Sequence, residues 1–241
     1  MSKKVSLRAQ RRNEYETNIL NKKFALVNLK PMTQNQKKLE ALYSSKDVIL
    51  ALGSAGTGKT FYSAFLALRD VFVNEKVDRI IYIRTAVQTR DQGFMPGDAK
   101  EKMQYYEAPM IDAVNALISD AEAYNILKRK KTIEFMSTSF IRGITLDNAV
   151  IIFDECQNAQ YDELRSVLTR MGENSKIIFA GDTKQDDLKN TKNHLDRSGL
   201  VEFIKVIDTM QSAGKVVFTK EDIVRSGIVK EFIIAEELVL A

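Results

Sequence analysis

VILALGSAGTGKT, Val48 to Thr60, is a short apolar, β-branched run that breaks into glycines and ends in Gly58-Lys59-Thr60. It reads as a strand feeding a phosphate-binding loop. Gly53 and Gly58 bracket four residues ahead of Lys59-Thr60, so the G-x-x-x-x-G-K-[ST] spacing is complete. Glycines let the backbone turn tightly and aim successive N–H groups inward, and a helix starting near Lys59 adds the positive end of its dipole. A polyphosphate would then be held mainly by the backbone of Gly53, Ser54, Ala55, Gly56, Thr57 and Gly58. Lys59 would reach the β- and γ-phosphates and the Thr60 hydroxyl would ligate Mg²⁺.

Outward from this loop the chain alternates strands and helices. Pro31 to Asp47 predicts a short helix with Leu39, Leu42 and Tyr43 on one face, and it carries Gln36, whose amide can bond an adenine edge as donor and acceptor together. Lys59 to Val73 places Phe61, Ala64, Phe65, Leu68 and Phe72 at helical spacing for packing on a sheet. Strands are expected at Arg79 to Arg84, Thr132 to Met136, Ser175 to Ala180 and Lys215 to Thr219, with a final helix from Ile228 to Leu240. Asp98 to Lys131 reads as helical, Pro109 opening a new helix after a break and Lys128 to Lys131 forming a basic end. Thr85 to Asp98 and Lys189 to Arg197 read as loops, the latter holding the single histidine, His194, at the surface.

The second chemical signal is Ala149 to Glu155, AVIIFDE, an apolar run ending in two carboxylates, as expected of a buried parallel strand that emerges at the ligand edge of a sheet. Asp154 is positioned to hold Mg²⁺ and Glu155 to polarise an attacking water. A third lies at Gly181 to Asp186, where a loop after a buried strand can present Gln185 to a γ-phosphate and the lytic water.

Composition narrows the setting. One cysteine, Cys156, excludes an internal disulfide framework and suits a reducing compartment. No apolar run approaches the roughly 18 residues that a membrane helix needs, so a soluble, cytoplasmic protein without membrane contact is expected. Residues 1–30 carry eight basic side chains against two acidic ones, so the net +4 of the chain comes from a basic N-terminal arm. Such an arm either contacts nucleic-acid phosphates or is a solvated tail. The division expected is an arm over residues 1–30 and one α/β domain over 31–241.

The order of the motifs resembles the PhoH-like family, the phosphate-starvation-inducible P-loop ATPases related to the core of superfamily 1 helicases. The blocks are GSAGTGKT at 53–60, RTAV at 84–87, GFMPGD at 93–98, FIRGITLDNAVIIFDECQN at 140–158, GDTKQDDL at 181–188 and FTKEDIVRSGIVKEF at 218–232. The resemblance implies a RecA-like P-loop NTPase core with a mostly parallel sheet, ATP and Mg²⁺ as ligands, hydrolysis, a homo-oligomeric ring, hexameric in the family's manner, and RNA-related activity. Carried over residue by residue, it gives Lys59 and Thr60 to phosphate and metal, Asp154 and Glu155 to metal and water, Gln185 to γ-phosphate sensing and Gln36 to adenine. Arg225 matches the arginine of the family's D-[IV]-V-R segment. Cys156 stands where alanine is usual, and Ser226-Gly227 replaces a histidine and its neighbour.

One core is too little chain to build the two-core site of a helicase, so a neighbouring subunit is expected to complete it, with Arg225 as the trans-acting arginine and Arg84 or Arg142 as weaker alternatives. The reading is a Mg²⁺-dependent ATPase that acts on single-stranded nucleic acid, RNA favoured. The competing reading is an ATP-gated oligomeric binding module with slow or partner-dependent hydrolysis. A metabolite kinase is disfavoured, because Gln185 and the Asp-Glu pair suit water as the nucleophile.

Overall fold

The computed structural model describes residues 22–85, 99–141, 143–182 and 198–240. Among the described residues six strands form one sheet: β1 (Val48–Gly53), β2 (Arg79–Arg84), β3 (Ile133–Ser137), β4 (Ala149–Asp154), β5 (Lys176–Gly181) and β6 (Ala213–Phe218). Their order is β3-β2-β4-β5-β1-β6, and every pairing is parallel. The sheet is therefore wholly parallel where the sequence predicts a mostly parallel one, and the architecture is the expected P-loop NTPase core.

Parallel strands need covered faces, and the two-residue period of the strands supplies both. Ile49, Ala51, Ile80, Tyr82, Val150 and Ile152 face one core with α1 (Gln34–Ser45), α2 (Lys59–Phe72), α3 (Ala99–Ile118) and α4 (Ala123–Arg129). Val48, Leu50, Leu52, Ile81, Ile151 and Phe153 face the other, with α5 (Tyr161–Leu168) and α6 (Leu200–Ile207). The final helix, α7, spans Gly227–Leu240. The run AVIIFD of β4 is buried throughout, which is why it reads as uninterrupted hydrophobicity up to its carboxylate.

Two expectations change. Pro109 opens no helix: α3 runs through it, and the break comes at Ser119, which has φ 54°. A proline forgoes one helical hydrogen bond. Here the burial of Met110, Ala113, Val114, Leu117 and Ile118 holds the segment after it in register regardless. The sequence reading also missed α6, an eight-residue helix whose Leu200, Phe203 and Ile207 plug the second core.

Two of the four basic side chains at 128–131 are engaged within the chain. Lys128 pairs at 2.5 Å with the buried Glu107, and Lys130 donates to the Lys22 carbonyl. The arm up to residue 21, the loop from 86 to 98 with its GFMPGD block, Arg142, and the segment 183–197 with Gln185 and His194 lie outside the described residues.

Candidate nucleotide site

Strand β1 ends on Gly53, and only a residue without a side chain can end it there. Its φ is +128°, and a Cβ would fall 2.0 Å from the Phe218 carbonyl oxygen of the neighbouring β6. Gly56 and Gly58 follow with φ of +76° and +78°, so the loop folds back on itself before α2 begins at Lys59. Gly58 is the N-cap and places no side chain on the first-turn amides, the usual seat of an anion. Thr57 is fully buried and its hydroxyl donates to the Ser54 carbonyl at 3.0 Å, bracing the turn from within.

Lys59 folds over this loop. Its Nζ donates to the carbonyls of Gly53 at 2.5 Å and Ser54 at 2.7 Å. Burial pushes the ammonium below the ordinary lysine value, while Asp182, Glu155 and Asp154 favour its charge.

The carboxylates come from the neighbouring strand ends, where β4 pairs with β2 and β5. Asp154 is held on both oxygens: Thr60 donates to Oδ1 at 2.7 Å and the Tyr82 hydroxyl to Oδ2 at 2.7 Å. Burial, reinforced by Asp154, keeps the Tyr82 phenol far above its usual pKa, so it remains a donor at any working pH. Glu155 sits in the left-handed region at φ 51°, ψ 42°, which turns it out of the strand line. Burial and then Asp154 raise its pKa, opposed by a hydrogen bond from Gln157 and by Arg84 and Lys59. Arg84, opposite Asp154 in the β2–β4 register, approaches both carboxylates, at 3.9 Å from Asp154 Oδ2 and 3.6 Å from Glu155 Oε1.

Lys59, Thr60, Asp154 and Glu155 line one cleft of about 780 Å³, which runs from the loop and the carboxylates to an apolar wall of Leu29, Met32, Phe61, Pro109 and Ala113. Gln36 stands on its border, 4 % exposed. Its Oε1 accepts the Met32 N–H at 2.7 Å and its Nε2 donates to the Thr57 carbonyl at 3.4 Å, so it braces the phosphate loop against the segment before α1. Each amide atom retains a second valence for a base edge.

Arg225 lines the cleft of its own chain. The Val224 N–H donates to the Gly56 carbonyl at 3.1 Å, and a Cβ on Gly56 would lie 2.9 Å from Arg225 Cγ. Arg225 therefore lies beside the loop of its own chain. The structure thus brings together Gln36, residues 53 to 60, Asp154, Glu155 and Arg225. Tyr82, Arg84 and Gln157 join them without a motif assigning the first and last, since a strand tyrosine or a turn glutamine carries no signal until its partners are adjacent.

The oxygen set suits a hard cation. A threonine hydroxyl and a carboxylate oxygen in contact are oxygen donors of the kind Mg²⁺ prefers, and Thr60 and Asp154 would be the residues to hold it. Among the described residues no helix is long and apolar enough to cross a membrane.

The family described as "PhoH-like protein" matches residues 28–237. The PhoH-like protein of Synechocystis sp. is 34 % identical over 206 residues, 85 % of this chain and 61 % of that protein. Protein PhoH of Escherichia coli K12 is 36 % identical over 201 residues, 82 % of this chain and 55 % of that protein. The PhoH-like protein of Bacillus subtilis is 32 % identical over 203 residues, 83 % of this chain and 61 % of that protein. The chain thus spans between 55 % and 61 % of the length of these relatives. Among solved structures, the large terminase of a thermophilic bacteriophage superposes with a TM-score of 0.47 at 18 % identity, over 85 % of this chain and 50 % of that one. The Pif1 helicase of Candida albicans superposes at 0.38 and 14 % identity, over 80 % of this chain and 42 % of that one.

Proposed function

The chain belongs to the PhoH-like family, and from that premise we propose that it is a Mg²⁺-dependent ATPase working as a homo-oligomer on single-stranded nucleic acid, RNA in preference to DNA. The observation that carries the reading is the contact of Thr60 Oγ1 with Asp154 Oδ1 at 2.7 Å, in the cleft that Lys59 and Glu155 also line. Residues assigned to phosphate, metal and water from separate sequence blocks stand together there.

In this reading the loop backbone and Lys59 bind the β- and γ-phosphates, Lys59 exchanging loop carbonyls for phosphate oxygens. Thr60 and Asp154 would hold Mg²⁺, which when bound would neutralise charge on the phosphates. Glu155 accepts a hydrogen bond from a water aligned on the γ-phosphorus. The water oxygen bonds to phosphorus, the bond to the β–γ bridging oxygen breaks, and ADP leaves as the water proton passes to Glu155 or to the departing phosphate. Gln185 senses the γ-phosphate, and Arg225, beside Gly56, acts on the nucleotide of its own subunit. Arg84 offsets the charge of the two carboxylates before the nucleotide arrives. The protein is proposed to work in the cytoplasm.

One observation favours a slower, gated version of this chemistry, an ATP-held assembly whose hydrolysis awaits a partner. Lys59 rests on loop carbonyls and Arg84 stands 3.6 Å from Glu155, contacts with which a nucleotide and its attacking water would compete. Steady-state ATP hydrolysis with and without single-stranded RNA separates the two, with Lys59→Ala, Glu155→Gln and a chelator as controls. Turnover that RNA raises, and that Glu155→Gln and chelation abolish, supports the nucleic-acid-coupled ATPase. Tight ATP binding with turnover indifferent to RNA supports the gated assembly. Nucleotide binding undiminished in Lys59→Ala refutes both.

A further inference from the structure

Gln157 sits two residues beyond Glu155, in the short 3₁₀ turn Cys156–Asn158, and is 3 % exposed. Its amide joins two strand ends. Nε2 donates to Glu155 Oε2 at 2.6 Å, and Oε1 accepts the Asp182 N–H at 3.0 Å. Chemistry fixes this orientation, because a carboxylate requires a donor and a backbone N–H requires an acceptor. A flipped amide would offer each partner the wrong group.

The surroundings are shaped to the amide. A Cβ on Gly181, at the end of β5, would fall 2.7 Å from Gln157 Oε1 and 2.6 Å from Cys156 Sγ. Meanwhile Glu155 occupies the left-handed region, which a residue with a side chain holds only where its surroundings oblige it. The bond from Gln157 is a hydrogen bond to the Glu155 carboxylate at 2.6 Å, shorter than the approach of Arg84 at 3.6 Å.

We propose that Gln157 is a positioning residue for hydrolysis: it sets where the Glu155 carboxylate points and ties that position to the Gly181-Asp182 backbone at the end of β5. Any displacement of that backbone is carried through one rigid amide to the group that polarises water. The inference rests on the reading of Glu155 as that group. Misplacing a catalytic group by about 1 Å can cost on the order of 10²-fold in rate, so a lost tether is measurable.

The test compares Gln157→Met, Gln157→Glu, Glu155→Gln and the double variant Gln157→Met with Glu155→Gln, all in the full chain. Methionine keeps the length and loses both bonds. Glutamate keeps the acceptor for Asp182 but turns a carboxylate toward Glu155. The readouts are kcat and KM for ATP, affinity for a non-hydrolysable ATP analogue, and Tm. Both single variants at Gln157 are expected to lose about 10- to 100-fold in kcat, with KM and analogue affinity kept within about twofold. The double variant is expected to be no slower than Glu155→Gln alone, because residues acting through one another are not additive.

Full turnover in Gln157→Met, or a loss that multiplies with that of Glu155→Gln, overturns the proposal. So does a fall in analogue affinity and Tm that accompanies the fall in kcat, which would make Gln157 a support of the fold. Should Gln157→Met fail to fold, Gln157→Glu decides by the same criteria. An inactive Glu155→Gln beside an unimpaired Gln157→Met refutes the role of Gln157 alone. A fully active Glu155→Gln refutes the reading of Glu155, and the proposal with it.

Discussion

Replacing Tyr82 by phenylalanine isolates one hydroxyl. The ring packs in the sheet core beside Phe135, their centroids 5.9 Å apart, and phenylalanine keeps that packing, so no cavity of consequence forms. What disappears is the donor to Asp154 Oδ2 at 2.7 Å, in a pair where Tyr82 is 0 % and Asp154 4 % exposed. Arg84 Nε, 3.9 Å from that oxygen, is too far to replace the lost donor. A hydrogen bond to a buried charge contributes about 1.5 to 3 kcal/mol. At about 2 to 4 °C per kcal/mol for a domain of this size, Tm should fall by about 3 to 12 °C. The second effect falls on the metal. Loss of a partner that orients a ligating carboxylate typically lowers metal affinity by about 10- to 100-fold, so half-saturation of ATP hydrolysis should move to higher Mg²⁺ by that factor. The assays are thermal unfolding without nucleotide and an Mg²⁺ titration of turnover. A Tm within about 1 °C of wild type together with an unmoved titration would refute the argument that Tyr82 holds Asp154.

Three further expectations follow from the same site. Arg225→Ala should raise KM for ATP by about tenfold, the equivalent of about 1.4 kcal/mol; because Arg225 borders its own chain's loop, mixing with Glu155→Gln subunits should not restore activity, and recovery in mixtures would show action on a neighbour. Gly53→Ala should cost more than about 3 kcal/mol in urea unfolding, since it combines a strained φ with a collision on the Phe218 carbonyl; a loss below about 1 kcal/mol would contradict the β1–β6 geometry. Asp222 tethers the approach to Arg225, accepting from Asn35 Nδ2 at 2.6 Å and the Thr219 N–H at 2.9 Å. Burial works to raise its pKa, but the Thr219 amide and the side chains of Thr33 and Asn35 outweigh it and hold the carboxyl below the ordinary aspartate value. Its contribution to stability is therefore present above about pH 4 and lost as pH falls through the folded value, so Asp222→Asn should lower Tm at neutral pH and flatten its acid dependence.

The frame of this protein is written in local stretches of its chain. Val48 to Thr60 and Ala149 to Glu155 declared two buried strands and the loop and carboxylates at their ends, because an apolar run ending in glycines or acids is a local signal that few other structures satisfy. Helix α2 and strand β2 were legible for the same reason, their periodicity being unbroken. Where local signals compete, the sequence was silent or misleading. Proline at 109 argued for a helix start, yet core burial beyond it keeps α3 continuous, and α6 is too short for its period to stand out between loops. Which strands lie side by side is set by packing across the whole domain. The order β3-β2-β4-β5-β1-β6 brings Tyr82 and Arg84 from β2 to Asp154 and Glu155, sets Gln157 between Glu155 and Asp182, and folds Arg225 onto Gly56 of its own chain. Apart from the local bond between Gln157 and Glu155, those contacts join residues from about 25 to 169 positions apart, and no spacing along the chain encodes them; they exist because parallel pairing brings the strand ends to one edge of the sheet, where the ligand groups must meet.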